Sequence, residues 1–386
     1  MTSLQLSRFR GPRTRGALVA AMCGVAVPLF VACSSDEPGS PPPVTRTLED
    51  GAVVTDDGAV VTQPAEDGGV VVPADDAAAV DGGPKPPGDA QVPPVSGTGR
   101  ILYRYAGYKL IEARAGAAPF DVGSKLATVS PGSDSRMNMG ADGSFVSETT
   151  RFGCSTPCLA IFSPTLSSGE KVLPGGAAVR DMRGVTPAVA GGGTIIVHGG
   201  RGAHNTDLYV TRKAGGAWSA STLLTAASTF ANNFKPQISP DGLKVVFDCG
   251  SDPYGSSGTS ICEVNLDAGA TGFRKVIGPE GGPGGGRNTH SPSYDRDGSI
   301  VFEGEWTREQ VWRIRGTGAP TRVNGTYGND NTPCLLPNGK VASLWLDRSG
   351  NPSGVHELKL MNGDGSGMVM LVTGVDIIDT GLGCGN

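Results

Sequence analysis

After residue 130 one unit recurs five times: a proline, then a tight-turn pair ending about six residues later, then a short β-branched or aromatic run. It reads as Pro187 before Gly192-Gly193, Pro236 before Asp241-Gly242, Pro292 before Asp297-Gly298, and Pro333 before Asn338-Gly339. Met137 takes the proline's place ahead of Asp142-Gly143. Repeats of roughly 40 to 56 residues built only from strands imply an array that closes on itself, because a single small sheet cannot bury both of its faces. The expected fold is all-β, a β-propeller whose blades are joined through two-residue turns.

The strands can be set out from this unit. After each turn comes a second strand: Phe145-Val146, Ile195 to Val197, Val245 to Phe247, Ile300 to Phe302 and Val341 to Ser343. Third and fourth strands follow, the fourth ending near Leu173, Leu224, Ile277, Val323 and Val372, which makes five complete blades. A sixth is split between the ends of the domain. Arg100 to Tyr103, Lys109 to Glu112 and Lys125 to Ala127 are read as its second, third and fourth strands, with a first strand supplied by 376–386. Asn386 beside Gly99 would recreate the Asn338-Gly339 turn, as if the ring were cut inside one turn. Pairing the ends removes both open sheet edges. With Gly 60 and Pro 29 among 386 residues, helix should be scarce.

Two stretches carry a family resemblance. Gln237-Ile238-Ser239-Pro240-Asp241-Gly242-Leu243-Lys244-Val245-Val246-Phe247 resembles the first strand, turn and second strand of the TolB-type propeller repeat. Leu358-Lys359-Leu360-Met361-Asn362-Gly363-Asp364-Gly365-Ser366-Gly367 resembles its third strand and following turn. The similarity spans 99–386 and implies six blades. The α/β domain that precedes the propeller in TolB has no counterpart here, so TolB's own partners do not transfer directly.

The residues before the propeller divide in two. Arg8, Arg10, Arg13 and Arg15 precede an apolar stretch from Ala17 to Ala32, the order of a secretory signal over 1–32. Its end, Phe30-Val31-Ala32-Cys33-Ser34-Ser35, resembles a bacterial lipobox and implies lipidation at Cys33. Residues 33–98 read as a disordered tether; from 36 onward there are twelve acids, two bases and no aromatic residue, so no core can form. A Val-Val repeat at 53–54, 60–61 and 70–71 is read there as low-complexity sequence rather than strands. About 60 flexible residues reach roughly 45 Å. The propeller itself carries 26 bases and 25 acids, which offers no basic field for nucleic acid.

With Cys23 removed and Cys33 lipidated, six cysteines remain, consistent with an oxidising compartment. The favoured pairings among the fifteen possible are Cys154 with Cys158 and Cys249 with Cys262, each bracketing the loop between second and third strands, and Cys334 with Cys384 across the ring closure. No second pair stands at zinc-ligand spacing, so no metal is expected.

No nucleophile elbow, zinc-protease helix or phosphate loop is present, and no cofactor or catalytic residue is assigned. Gly281-Gly282-Pro283-Gly284-Gly285-Gly286 reads as a flexible connection. Asp295-Arg296-Asp297-Gly298 resembles the start of a calcium loop, but lacks the later ligands and is read as a turn. Loop length points elsewhere. The connections between second and third strands and those between blades emerge on one face and are the long ones, and function concentrates on such loops. His198, Arg201, His204, Tyr254, Arg287, His290, Glu303, Glu305, Trp306, Tyr327, Asp330 and Arg348 are expected to line that face.

The sequence therefore predicts a monomeric, lipid-anchored cell-envelope module, outer membrane rather than inner, that recognises a protein or polymer through its long-loop face. The alternative is a hydrolase or lyase acting on saccharide or peptide at the axial pocket, for which His290, Glu303 and Glu305 would have to converge.

Overall fold

The computed structural model describes residues 97–252, 258–267, 269–323, 329–346, 356–376 and 381–386, together with the residue pairs 46–47, 53–54 and 60–61. The signal segment, Cys33, Tyr254, Tyr327 and Arg348 lie outside the described residues. Residues 1–84 and 85–386 form separate compact units.

In the second unit six antiparallel sheets follow the chain. Blade one comprises Asp134–Met139, Phe145–Thr149, Cys158–Phe162 and Gly169–Lys171. Blade two comprises Ala188–Ala190, Ile195–Gly200, Asp207–Ala214 and Thr222–Leu223, with Ala217–Trp218 as a side ribbon. Blade three runs Asn232–Ile238, Lys244–Gly250, Ser260–Asn265 and Arg274–Ile277, and blade four Thr289–Tyr294, Ile300–Glu305, Glu309–Ile314 and Thr321–Arg322. Blade five is Asp330–Leu335, Val341–Trp345, His356–Met361 and Val369–Val375. Blade six joins the C-terminal Gly383–Gly385 to Arg100–Arg104, Tyr108–Glu112 and Phe120–Asp121, with Cys384 opposite Ile101.

The ring is closed by its core as well as by its strands. Six clusters of buried apolar residues each draw on two neighbouring blades, with Phe145 and Phe162 meeting Leu102 and Leu110 between blades one and six. Ile101 and Ile111 meet Leu344 and Leu358 between six and five. The architecture is a six-bladed β-propeller.

The repeated turns are built differently from a two-residue hairpin. In blade five the Gly339 N–H donates to the Leu336 carbonyl at 2.9 Å, and the Asn338 side chain accepts from Lys340 N at 3.1 Å. Asp142, Asp241 and Asp297 accept in the same way from Ser144, Leu243 and Ser299. The Asp or Asn is thus an Asx-turn acceptor and the following glycine takes φ between +71° and +83°, a conformation other residues adopt only at a cost. Gly99 has φ +77°, and Arg100 Nε donates to the Asn386 carbonyl at 2.5 Å. Gly385 stands opposite Arg100, so Asn386 falls at the position of Pro337 rather than that of Asn338.

One expectation is corrected. Residues Val122–Ala127, read as running into a fourth strand at Lys125, form a short helix; Asp121 caps it by accepting from Ser124 N at 2.6 Å, and Val122 and Leu126, four apart, are both buried. Lys109 and that capping bond hold the Asp121 carboxyl at about 2. The fourth strand is instead Phe120–Asp121. In the first unit the two-residue segments Arg46–Thr47, Val53–Val54 and Val60–Val61 pair in an antiparallel ribbon.

The three disulfides are Cys154–Cys158, Cys249–Cys262 and Cys334–Cys384. The last links the first strands of blades five and six.

Candidate functional site

The first strands of all six blades face the axis. Asn138, Thr186, Lys235, Ser291, Thr332 and Gly381 line a waist with room for only about 20 Å³. The prolines that mark the repeat stand there for a reason. In blades three, four and five the residue before the proline is a non-glycine at φ near +50°: Lys235, Ser291 and Thr332. At each, the register with the second strand shifts by a bulge. Positive φ at a β-branched threonine is a strained conformation, and strain of this kind persists only where surrounding groups over-determine it.

Here the surrounding groups are charged and buried. Asp248 Oδ1, from blade three, accepts from the Ser291 amide of blade four at 2.9 Å. Glu303 Oε2, from blade four, accepts from the Thr332 amide of blade five at 3.0 Å. His290 lies between acids of two blades, with Nδ1 3.4 Å from Asp248 Oδ2 and Nε2 3.8 Å from Glu305 Oε1. Lys235 Nζ stands 3.7 Å from Asp248 Oδ2 and 3.4 Å from Ser291 Oγ. The His290–Asp248 contact is an ion pair without hydrogen-bond alignment. Burial opposes a charged His290, but Asp248 and Glu303 outweigh it and raise the imidazole pKa above its ordinary value. Burial raises the Glu303 carboxyl, and His290 and the Thr332 amide offset this only in part.

The candidate residues on the long-loop side have divergent fates. His290, Glu303 and Glu305 come together. Asp330 is fully buried in an ion pair with Lys359 at 3.1 Å, and that ammonium lies 4.2 Å from the Trp345 ring centre. His198 is buried rather than presented: its ring bonds Gly199 O and Ser221 Oγ and stacks on Tyr209, and burial lowers its pKa. His204 is partly buried, with Nδ1 2.7 Å from Asp207, an acid that also accepts from Thr225. Arg201 and Arg287 are exposed.

Trp306 is also buried, and the glycine-rich connection explains why. A Cβ on Gly282 would sit 1.8 Å from the Trp306 indole and one on Gly286 2.5 Å from it, so the segment is a close-fitting strap rather than a slack linker. Phe302 and Trp312 pack edge-on beneath.

Asp248, Lys235, Ser291 and Thr332 were absent from the sequence-based set. Their signal was available: the residue before each repeated proline, and the acid ending Val245-Val246-Phe247-Asp248.

At the opposite, tight-turn mouth lies a cavity of about 290 Å³ lined by Pro240, Tyr294, Leu335, Leu336, Pro337 and Asn386 among others. Among the described residues the charged cluster lies at the end of the axis away from the short turns, and the short turns surround the larger and more apolar hollow. Among the described residues no cluster of His, Cys, Asp and Glu is arranged to hold a metal ion, and no helix is long and apolar enough to cross a membrane.

These features define a six-bladed propeller of the TolB type, a statement about fold. The structure is similar to TolB from Acinetobacter baumannii, with 16% identity, TM-score 0.51, and coverage of 76% of this chain and 68% of that one. A TolB-assigned structure from Agrobacterium tumefaciens matches at 18% identity and TM-score 0.47, covering 75% and 98% of the two chains. A puromycin-hydrolyzing peptidase from Mycobacterium tuberculosis matches at 10% identity and TM-score 0.45, covering 73% of this chain and 45% of the peptidase. No family model and no curated protein matches the chain.

Proposed function

We propose that this chain is a lipid-anchored binding module of a bacterial cell envelope: residues 1–32 act as a signal peptide, Cys33 carries the lipid, 33–98 form the tether, and the propeller at 99–386 recognises an envelope protein or polymer through its long-loop mouth. The observation that carries the reading is the axial site. Three successive strained bulges and a cluster of buried acids and a histidine lie at the mouth around which the long loops are grouped, and strain and buried charge of this kind concentrate at recognition sites. The exposed Arg201 and Arg287 on the same side are suited to contact a partner without disturbing the core.

The test has two arms. Cys33→Ala should move the protein from the membrane to the soluble fraction of the source cell; unchanged membrane association would remove the anchor from the proposal. Wild-type protein should retain an envelope component that an Arg201→Glu/Arg287→Glu variant of unchanged melting temperature loses. Equal retention by both would exclude the long-loop mouth.

The hydrolase or lyase alternative has one observation in its favour, the approach of His290 to Glu305 with Glu303 alongside. Against it, the waist lined by Ser291, next to His290, and by Thr332, whose amide Glu303 accepts from, admits no more than a water-sized group. Binding is the better-supported reading.

A further inference from the structure

We propose that Asp248, His290, Glu303 and Glu305 form a proton-sensitive latch across blades three, four and five, which holds the strained axial bulges at Ser291 and Thr332 in mild acid and slackens as pH rises. The inference concerns the fold's own response to pH and stands whether or not the long-loop mouth binds a partner.

The bulges need holding. Ser291 has φ +52° and Thr332 φ +50°, and each amide is caught by a carboxylate of the preceding blade. The arrangement repeats in register. Val197, Val246 and Val301 lie opposite the residue after the proline in blades two, three and four, and two positions further on stand Gly199, Asp248 and Glu303. Asp248 and Glu303 serve the next blade's bulge, whereas Gly199 has no side chain to serve Lys235. One bulge of the three is thus a built-in control.

The proton that matters sits on His290 and Glu303 together. Facing His290 are Asp248 from the second strand of blade three, Glu303 and Glu305 from the second strand of its own blade, and Lys235 from the first strand of blade three. Glu309, on the third strand of blade four, acts on Glu303. Asp248 is wholly buried, so its charge is compensated from within this group. A charged His290 supplies compensation to acids on both sides of the blade three–four boundary.

The signs agree. With its folded pKa raised, His290 contributes stability that is fully present below its unfolded value, about 6.5, and lost as pH rises through the folded value. Glu303, also raised, favours the uncharged carboxyl, so its ionisation works against the folded arrangement as pH climbs above the ordinary glutamate range. Groups this close titrate as a unit.

Hydrogen exchange on the full-length chain, with rates corrected for intrinsic pH dependence, tests the latch. Protection at the Ser291 and Thr332 amides should fall severalfold between pH 5.5 and 8.5, the direction set by the raised His290 and Glu303. Protection at Lys235 should stay level. In Glu303→Gln the pH dependence at Thr332 should vanish, and in His290→Gln it should vanish at Ser291 while Thr332 keeps the part set by Glu303. Parallel change at all three amides, or none at any, would overturn the proposal. Should His290→Gln fail to fold, Glu305→Gln must move the Ser291 midpoint to lower pH; an unmoved midpoint overturns it equally.

Discussion

The boundary between blades five and six and the boundary between four and five are neighbours in one ring, yet they are held by different physics. Between five and six, thirteen buried apolar residues and the Cys334–Cys384 bond make the contact. Between four and five the apolar cluster has six members, and polar bonds cross beside it: Thr332 N to Glu303, and Leu335 N to Ser293 Oγ. The chain itself crosses both boundaries; its two ends meet inside blade six, where Gly383–Gly385 pairs with Arg100–Arg104, and the disulfide pins that C-terminal strand to blade five. The boundary between four and five instead accommodates buried polar groups, which fix geometry more than they add stability. Closure is made strong, and the axis is made specific.

Removing the disulfide should expose that division most sharply. Cys334→Ser/Cys384→Ser frees a link spanning 50 residues, for which the chain-entropy model gives about 4 kcal/mol. Urea unfolding should show a loss of this size, and exchange should rise first along Arg100–Arg104 and Gly383–Gly385. A loss under about 1 kcal/mol would mean that the apolar cluster closes the ring unaided.

Next in size is Asp248→Ala at the boundary between blades three and four. It leaves the Ser291 amide without its buried acceptor and the His290 ring without its ion-pair partner, a cost of about 3 kcal/mol. Asp248→Asn keeps an acceptor for the amide and should lose less. Equal losses in the two variants would show that the charge, rather than the hydrogen bond, is what holds the bulge.

Local chemistry was legible in the sequence, and cross-blade chemistry was not. Asp-Gly and Asn-Gly turns announce themselves because the acceptor and the amide it satisfies are two residues apart. The pairing of the C-terminal strand with Arg100–Arg104 could be inferred because every other blade has a first strand and the sixth lacked one. The Asp248–Ser291 bond joins residues 43 apart, and only the ring geometry brings them together. Trp306 and the glycine strap misled for the same reason. A glycine run has the composition of a slack loop, and only the indole pressed against Gly282 shows that small size was the requirement. The 122–127 helix was overlooked because Lys125-Leu126-Ala127 suits a short strand until Asp121 is recognised as a cap.

The finest test of the comparison lies on the tight-turn face, where the same residue type occupies the same position with and without a bond across a boundary. Asp142 accepts from Ser144 N in its own turn at 2.8 Å and from Gly192 N of blade two at 2.6 Å. Asp297 accepts from Ser299 N in its own turn, and Arg315 stands 3.8 Å away on the same blade. Asp297→Ala should therefore cost about 1 kcal/mol, one amide bond to a carboxylate, and Asp142→Ala about 2 kcal/mol, two of them. Asp297 is held below the ordinary aspartate range chiefly by Ser299, so its contribution is present above the unfolded pKa and fades as pH falls through the lower folded value. Denaturant melts at pH 7 should show the larger cost for Asp142→Ala, and equal costs would mean that the bond to Gly192 across blades one and two adds nothing to the turn. The cost of Asp297→Ala should be clear at pH 7 and shrink as the pH is taken down to 2.5. A cost that persists unchanged in acid would mean that the Asp297 turn rests on packing rather than on its carboxylate.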